Sequence, residues 1–165
     1  MKANRLLGIY LNDHLAGATV GVELARRSRS NNSETPPFGA ALARICGEIE
    51  EDRETLKAVM AELGVRRDPL KPALAWIGEK AGRLKPNGRL IGYSPLSRLL
   101  ELEMLHIGIT GKRQLWGALD GLEGGIAGFD FKALAARAEG QRDVVEDLHR
   151  QAAALALSVD SDRED

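Results

Sequence analysis

Three histidines and a set of acidic residues are the side chains here whose types and spacing could carry chemistry. His14, His106 and His149 each fall near the middle of a helical segment. Two of them follow a glutamate at i, i+3, as Glu103-Met104-Leu105-His106 and Glu146-Asp147-Leu148-His149. On a helix that spacing turns a carboxylate and an imidazole to one side, which is how helical bundles present metal ligands. Gly-rich phosphate loops, nucleophile elbows and cysteine metal clusters are absent from the sequence.

Positioning such residues requires long helices, and the sequence supplies four. Residues 3–28 place Ala3, Leu7, Tyr10, Leu11, Ala18, Gly21 and Ala25 on one face, with Arg5, Asn12 and Glu23 opposite. The Ser-, Asn- and Pro-rich stretch from Arg29 to Pro37 reads as a loop. A second helix is expected from Phe38 to Leu63, with Leu42, Ile45, Ile49, Leu56 and Met60 inward and Gly64 as its stop. A long connection follows, holding a short amphipathic helix over Ala73 to Leu84 and a Pro86-Asn87-Gly88 turn. Ser94-Pro95 opens a third helix that runs to about Leu119. After a Gly-rich turn, Asp130 caps a fourth helix from Phe131 to about Val159. No strand pattern and no internal repeat stand out. Residues 1–159 therefore read as one all-α domain, and the acidic residues 160–165 as a disordered tail.

Composition narrows the classes of function. At 165 residues and 44% apolar content the chain can build one core of its own. A net charge of −1 gives no field that would draw it to nucleic acid or an anionic membrane. No apolar run reaches membrane-spanning length, and the start of the chain lacks the order of a signal peptide. The lone Cys46 lies near an apolar face, as expected of a packing residue in a reducing cytoplasm.

Counting about 100° per residue assigns each polar side chain a direction. His14 points toward the apolar face of the first helix, and Glu23 away from it. Asp52 takes a core slot between Ile49 and Leu56, with Glu48 on its edge. In the third helix Glu101 shares a stripe with Arg98 and Lys112, read as the solvent side. Glu103 then falls inward between Leu96, Leu99, Leu100 and Ile107, and His106 leans with it. His149 lies near the core face of the fourth helix, and Glu146 on its flank. Heights agree as well, so His14, Asp52, Glu103 and His106 are expected to meet in one mid-bundle layer, with His149, Glu48 and Glu146 as further candidates. A buried charge must be paired or metal-bound, so the layer is either a carboxylate/histidine metal centre or a hydrogen-bonded network that fixes register.

The order of short loop, long crossover and short loop resembles the ferritin-like bundles, as a bacterial branch of them, and the resemblance covers nearly the whole chain. It implies an antiparallel four-helix bundle with the crossover between helices two and three. It also implies a candidate di-iron or di-manganese carboxylate centre. The family pattern has a lone Glu on the first and third helices and Glu-x-x-His on the second and fourth. Here the first helix offers His14, the second has Glu48-Ile49-Glu50-Glu51 without a histidine, and the third carries Glu-x-x-His instead of a lone Glu. Only Glu146 and His149 stand on the expected helix.

The leading expectation is thus a binding or structural module without catalysis and without a resident cofactor. The alternative is a metal-dependent oxidoreductase using iron, manganese or zinc. A third reading is anion or nucleic-acid binding through the basic crossover, Arg66, Arg67, Lys71, Lys80, Arg83, Lys85 and Arg89. Gly17-x-x-x-Gly21 forms a small-residue patch that favours close helix packing. Trp76 with Ile77 in the crossover, and Trp116 with Leu105 near the outward side of the third helix, imply covered surface. The third helix is apolar nearly all round through Leu102, Met104, Leu105, Ile109, Leu115 and Trp116. Additional cover is therefore expected from the crossover or from a two-fold homodimer.

Overall fold

Helix-starting signals in the sequence meet their backbone partners at three of the four helix N-termini. In a computed structural model, residues 3–68 and 93–157 are described, and every regular element among them is an α-helix. The helices are α1 Arg5–Asn32, α2 Phe38–Glu62, α3 Pro95–Asp120 and α4 Phe131–Ala156. Asn4 Oδ1 accepts from the Leu7 amide at 2.9 Å, Ser94 Oγ from Ser97 at 3.1 Å and Asp130 Oδ1 from Ala133 at 2.9 Å. Each satisfies one amide that a helix start leaves without an internal partner. At the other end of α2, Gly64 takes φ +63° and its amide bonds to Ala61 O, while the Val65 amide reaches Met60 O at 2.8 Å. This paired closure is the stop that Gly64 signalled.

Two boundaries differ from the sequence reading. α1 continues through the Ser/Asn stretch to Asn32 because Asn32 is wholly buried. Its Nδ2 donates to Ser28 O and to Tyr93 Oη, both at 2.8 Å. A loop signal gives way here to a tertiary anchor. The turn that follows is tight enough that a Cβ at Gly39 would lie 2.5 Å from Ser33 O. α4 ends at Ala156, where Leu157 is already extended, and residues 158–165, the rest of the expected continuation and the tail, lie outside the described residues.

Cross-helix pairs give the directions. Arg26 meets Glu50, Arg27 meets Glu101, His149 meets Glu103 and Gln141 meets Glu48. These pairs make α1 antiparallel to α2 and α3, and α4 antiparallel to α3 and α2. Among the described residues the backbones of α1 and α4 do not come close, nor do those of α2 and α3, which touch only through long side chains such as Lys112; these pairs lie on the diagonals, and α2 and α3 run the same way. The connection between them starts at Asp68, whose amide donates to Asn12 Oδ1 at 2.8 Å, and ends at Tyr93 beside Asn32. Those two anchors are about 30 Å apart along α1 at the usual helical rise. The short helix expected over Ala73–Leu84, the Pro86-Asn87-Gly88 turn, Trp76, Ile77 and the crossover cations Lys71, Lys80, Arg83, Lys85 and Arg89 lie outside the described residues. Asn12, read as solvent-facing, thus has a structural task, because its Nδ2 also reaches Arg66 O at 3.1 Å.

The reading of α3 needs correction. Leu102, Leu105, Ile109, Leu115 and Trp116 are all buried inside the bundle, and Trp116 stacks on Phe131 with ring centroids 6.0 Å apart. Glu103, Ile107, Gln114 and Ala118 are among its exposed positions. The helix keeps a wet side after all, so its apolar circumference does not by itself demand further cover. Trp116 and Leu105 are core residues and not outward ones.

Candidate functional site

Burial without an apolar side chain singles out two places. Asp52, Glu101 and Gln141 are at most 2% exposed, and they belong to two separate clusters. The first lies at mid-height, where α2 and α4 meet at few points and long polar side chains span the gap. Asp52 sits between Ile49 and Leu56, as the helical phase of α2 requires. Its Oδ2 accepts from Lys112 Nζ and its Oδ1 from Arg137 Nη2. Lys112 also donates to Gln141 Oε1, and Gln141 Nε2 donates to Glu48 Oε2 at 2.9 Å. Arg44 reaches Glu48 Oε1 at 2.7 Å, and Arg137 Nη1 reaches Glu51 Oε2 at 2.9 Å. Three carboxylates therefore face three cations.

Removal from water pushes the Lys112 ammonium down from its ordinary range, while Asp52 beside it resists the shift by charge and by hydrogen bond. The Arg137 Nε is buried with no hydrogen-bond partner among the described residues. Below this layer, toward the start of α4, an open cleft of about 600 Å³ is lined by Glu54, Thr55, Ala58, Phe129, Leu134 and Arg137.

The second cluster lies near the α1–α2 turn. Glu101 Oε1 accepts from Arg27 Nε at 2.7 Å and Oε2 from Tyr93 Oη at 2.9 Å. Arg98 lies 4.6 Å above the Phe38 ring centroid and donates through Nε to Asn32 Oδ1. Burial, with Glu101 beside it, holds the Tyr93 phenol up at about 12 even though the Asn32 donor favours the phenolate.

The seven sequence candidates are dispersed. Asp52 and Glu48 share the mid-height layer. Glu103, expected inside, is largely exposed, and it meets His149 Nε2 at 3.2 Å on the outside of the α3–α4 seam. His106 is half-buried, and Glu146 is exposed. His14 is half-buried, edge-on to Tyr10 at 4.5 Å; burial lowers its pKa against the opposing pull of Asp13. The meeting of His14, Asp52, Glu103 and His106 does not form. Among the described residues no three His, Cys, Asp or Glu side chains are placed to hold a metal ion.

The cause of the error is visible in α3. Arg98, Glu101 and Lys112 do share one stripe, as counted, but that stripe faces inward. Helical phase alone makes Glu101 wet and Glu103 buried; the reverse holds. The same phase puts Lys112 on the wet side, and Gln141, Arg137, Arg27 and Tyr93 carry no site expectation from the sequence. Gln141 left a usable trace, since it shares the core face of α4 with Ala138, Val145 and Leu148.

A carboxylate metal centre would need free oxygens, and both oxygens of Asp52 are taken by cations that already balance it. The layer's donors do not fit a metal ion. Comparison of the chain with protein-family models, with characterised proteins and with solved structures gives no significant match to any of them.

Proposed function

We propose that this chain is a ferritin-like helical bundle that serves as a binding or structural module, with no catalytic reaction of its own. The observation that carries the reading is the pairing of both Asp52 oxygens with Lys112 and Arg137. A layer whose charges are already matched from within can fix which helices face each other, and it leaves no ligand vacancy for chemistry. The antiparallel neighbours and the parallel α2/α3 diagonal support the ferritin-like topology. The cleft beside Arg137, walled by Phe129 and Leu134, supports a small-ligand role.

Metal content measured after purification without chelator, then after incubation with iron, manganese and zinc, tests the reading. It expects far less than one metal per chain. A stoichiometric metal lost on Asp52→Asn would overturn it in favour of the metal-dependent oxidoreductase. That second reading draws on Glu103 and His149, the one Glu-His contact across α3 and α4 among the described residues.

Self-association as a two-fold dimer belongs to the same proposal and now rests on the exposed Leu6, Ile9 and Ile107. A cytoplasmic setting rests on the buried free thiol of Cys46, whose pKa burial pushes up. No helix among the described residues is long and apolar enough to cross a membrane. The nucleic-acid reading keeps only Arg66 and Arg67 among the described residues, and both are exposed.

A further inference from the structure

We infer that the mid-height layer is a cation site filled from within. The Lys112 ammonium holds the place a metal would take, and the layer is shaped for a primary ammonium and against a divalent ion. The inference deepens the module reading and rests on it for the role of the layer.

Three features carry it. Asp52 Oδ2 and Gln141 Oε1 both converge on Lys112 Nζ, which suits an ammonium with three donors on one atom. The Gln141 amide is held in that sense by Glu48, which takes its Nε2 end at 2.9 Å and so turns the oxygen toward Lys112. The Lys112 side chain is 15% exposed and Asp52 2%, so the pair is largely removed from water and must match in charge as well as in shape. A divalent ion at this point would lie against the Arg137 guanidinium as well as the ammonium, and like charges at that range repel strongly in a dry setting.

Cutting Lys112 back to alanine removes three methylenes and the ammonium, a volume that propylammonium restores. The test is thermal unfolding of Lys112→Ala with propylammonium chloride, with tetramethylammonium chloride at equal ionic strength as the control. The variant is expected to melt about 5–10 °C below the unaltered protein, the scale of a few kcal/mol in a domain of this size. Propylammonium should return part of that loss and tetramethylammonium none, while the unaltered protein responds to neither. Equal melting of variant and unaltered protein, or equal response to both salts, overturns the inference.

If Lys112→Ala does not fold, two measurements on the unaltered protein decide. Native labelling with an amine-reactive ester should modify Lys112 roughly ten-fold or more slowly than the exposed Lys132, as for a group reached only by local opening. Manganese or zinc should produce no rise in melting temperature that depends on Asp52. Equal labelling rates, or a metal-induced rise that Asp52→Asn abolishes, overturns the proposal. Metal bound elsewhere in the chain would sink the module reading without touching this one, so the two failures are distinguishable.

Discussion

Asp52 and Glu101 are equally buried, at 2% exposure each, yet their partners live in different surroundings. Asp52 faces an ammonium that is itself 15% exposed and a guanidinium at 31%, in the gap between α2 and α4. Glu101 faces an arginine at 48% exposure and a neutral phenol, near one end of the bundle. The carboxylates are alike, but the consequences of losing them are not. When Glu101 goes, Arg27 can swing into water. When Asp52 goes, Lys112 stays behind in the bundle with only Gln141. The lesson is that the cost of a buried ion pair depends on where its second member can go.

The largest effect expected from that contrast belongs to Asp52→Ala. Stranding Lys112 should remove about 3–5 kcal/mol from the unfolding free energy, read by urea denaturation. Glu51→Ala, which touches the same Arg137 from a 70% exposed position, should cost less than about 1 kcal/mol. Near-equal losses from the two would abolish the distinction between the inner and outer partners of Arg137.

Glu101→Ala should come next, at about 2 kcal/mol, because it leaves the Tyr93 hydroxyl short of an acceptor while freeing Arg27 to solvent. Glu103→Ala, on the outer seam, should stay within about 0.5 kcal/mol. If Glu103→Ala proves the more damaging, the assignment of the inner stripe of α3 is wrong.

Titration sharpens the comparison further. The chain has two tyrosines, and absorbance at alkaline pH should show one phenolate forming only near pH 12. Tyr93 ionises near 10 when unfolded, so its folded value is raised and the folded state keeps the proton longer. Its contribution to stability is complete below pH 10 and is lost as pH climbs through about 12. Tyr93→Phe should erase the late phase, and two coincident phenolate steps would refute the burial of Tyr93.

The smallest effect is at His14, outside both clusters. Its folded pKa lies below the unfolded value of about 6.5, so the unfolded chain takes up the proton first. The stability that a neutral His14 provides is present above pH 6.5 and fades as pH falls through the lowered value. Melting temperatures at neutral and mildly acidic pH, for the unaltered protein and His14→Phe, should show a shallower acid loss in the variant. An unchanged slope would remove His14 from the account.

Where the sequence was legible, local chemistry decided the outcome. Ser94-Pro95, Asp130 and Gly64 each act on backbone groups within a few residues, so their marks are readable without a partner. Asp52 was legible too, because α2 has one apolar face and a single slot in it was polar. α3 was not, because leucines and isoleucines point from it in several directions and no apolar face fixes its rotation. An inward stripe of Arg98, Glu101 and Lys112 then looks the same as a wet one. Asn32 misled in the same way, since its local preference for a loop yielded to Tyr93, just before α3, and to Arg98 within it.

The sequence by itself determined that four helices form, close to where each begins, and that Asp52 must be answered by some partner. Only the tertiary structure decided which partner, because Lys112, Gln141 and Arg137 come from α3 and α4 and are brought to Asp52 by helix packing alone. The same holds for Glu101, whose burial is set by Arg27 arriving from α1. Helix formation is settled by contacts within a few residues of chain. The facing of one helix toward another is settled by charges far apart in sequence, and no periodicity along a single helix can report it.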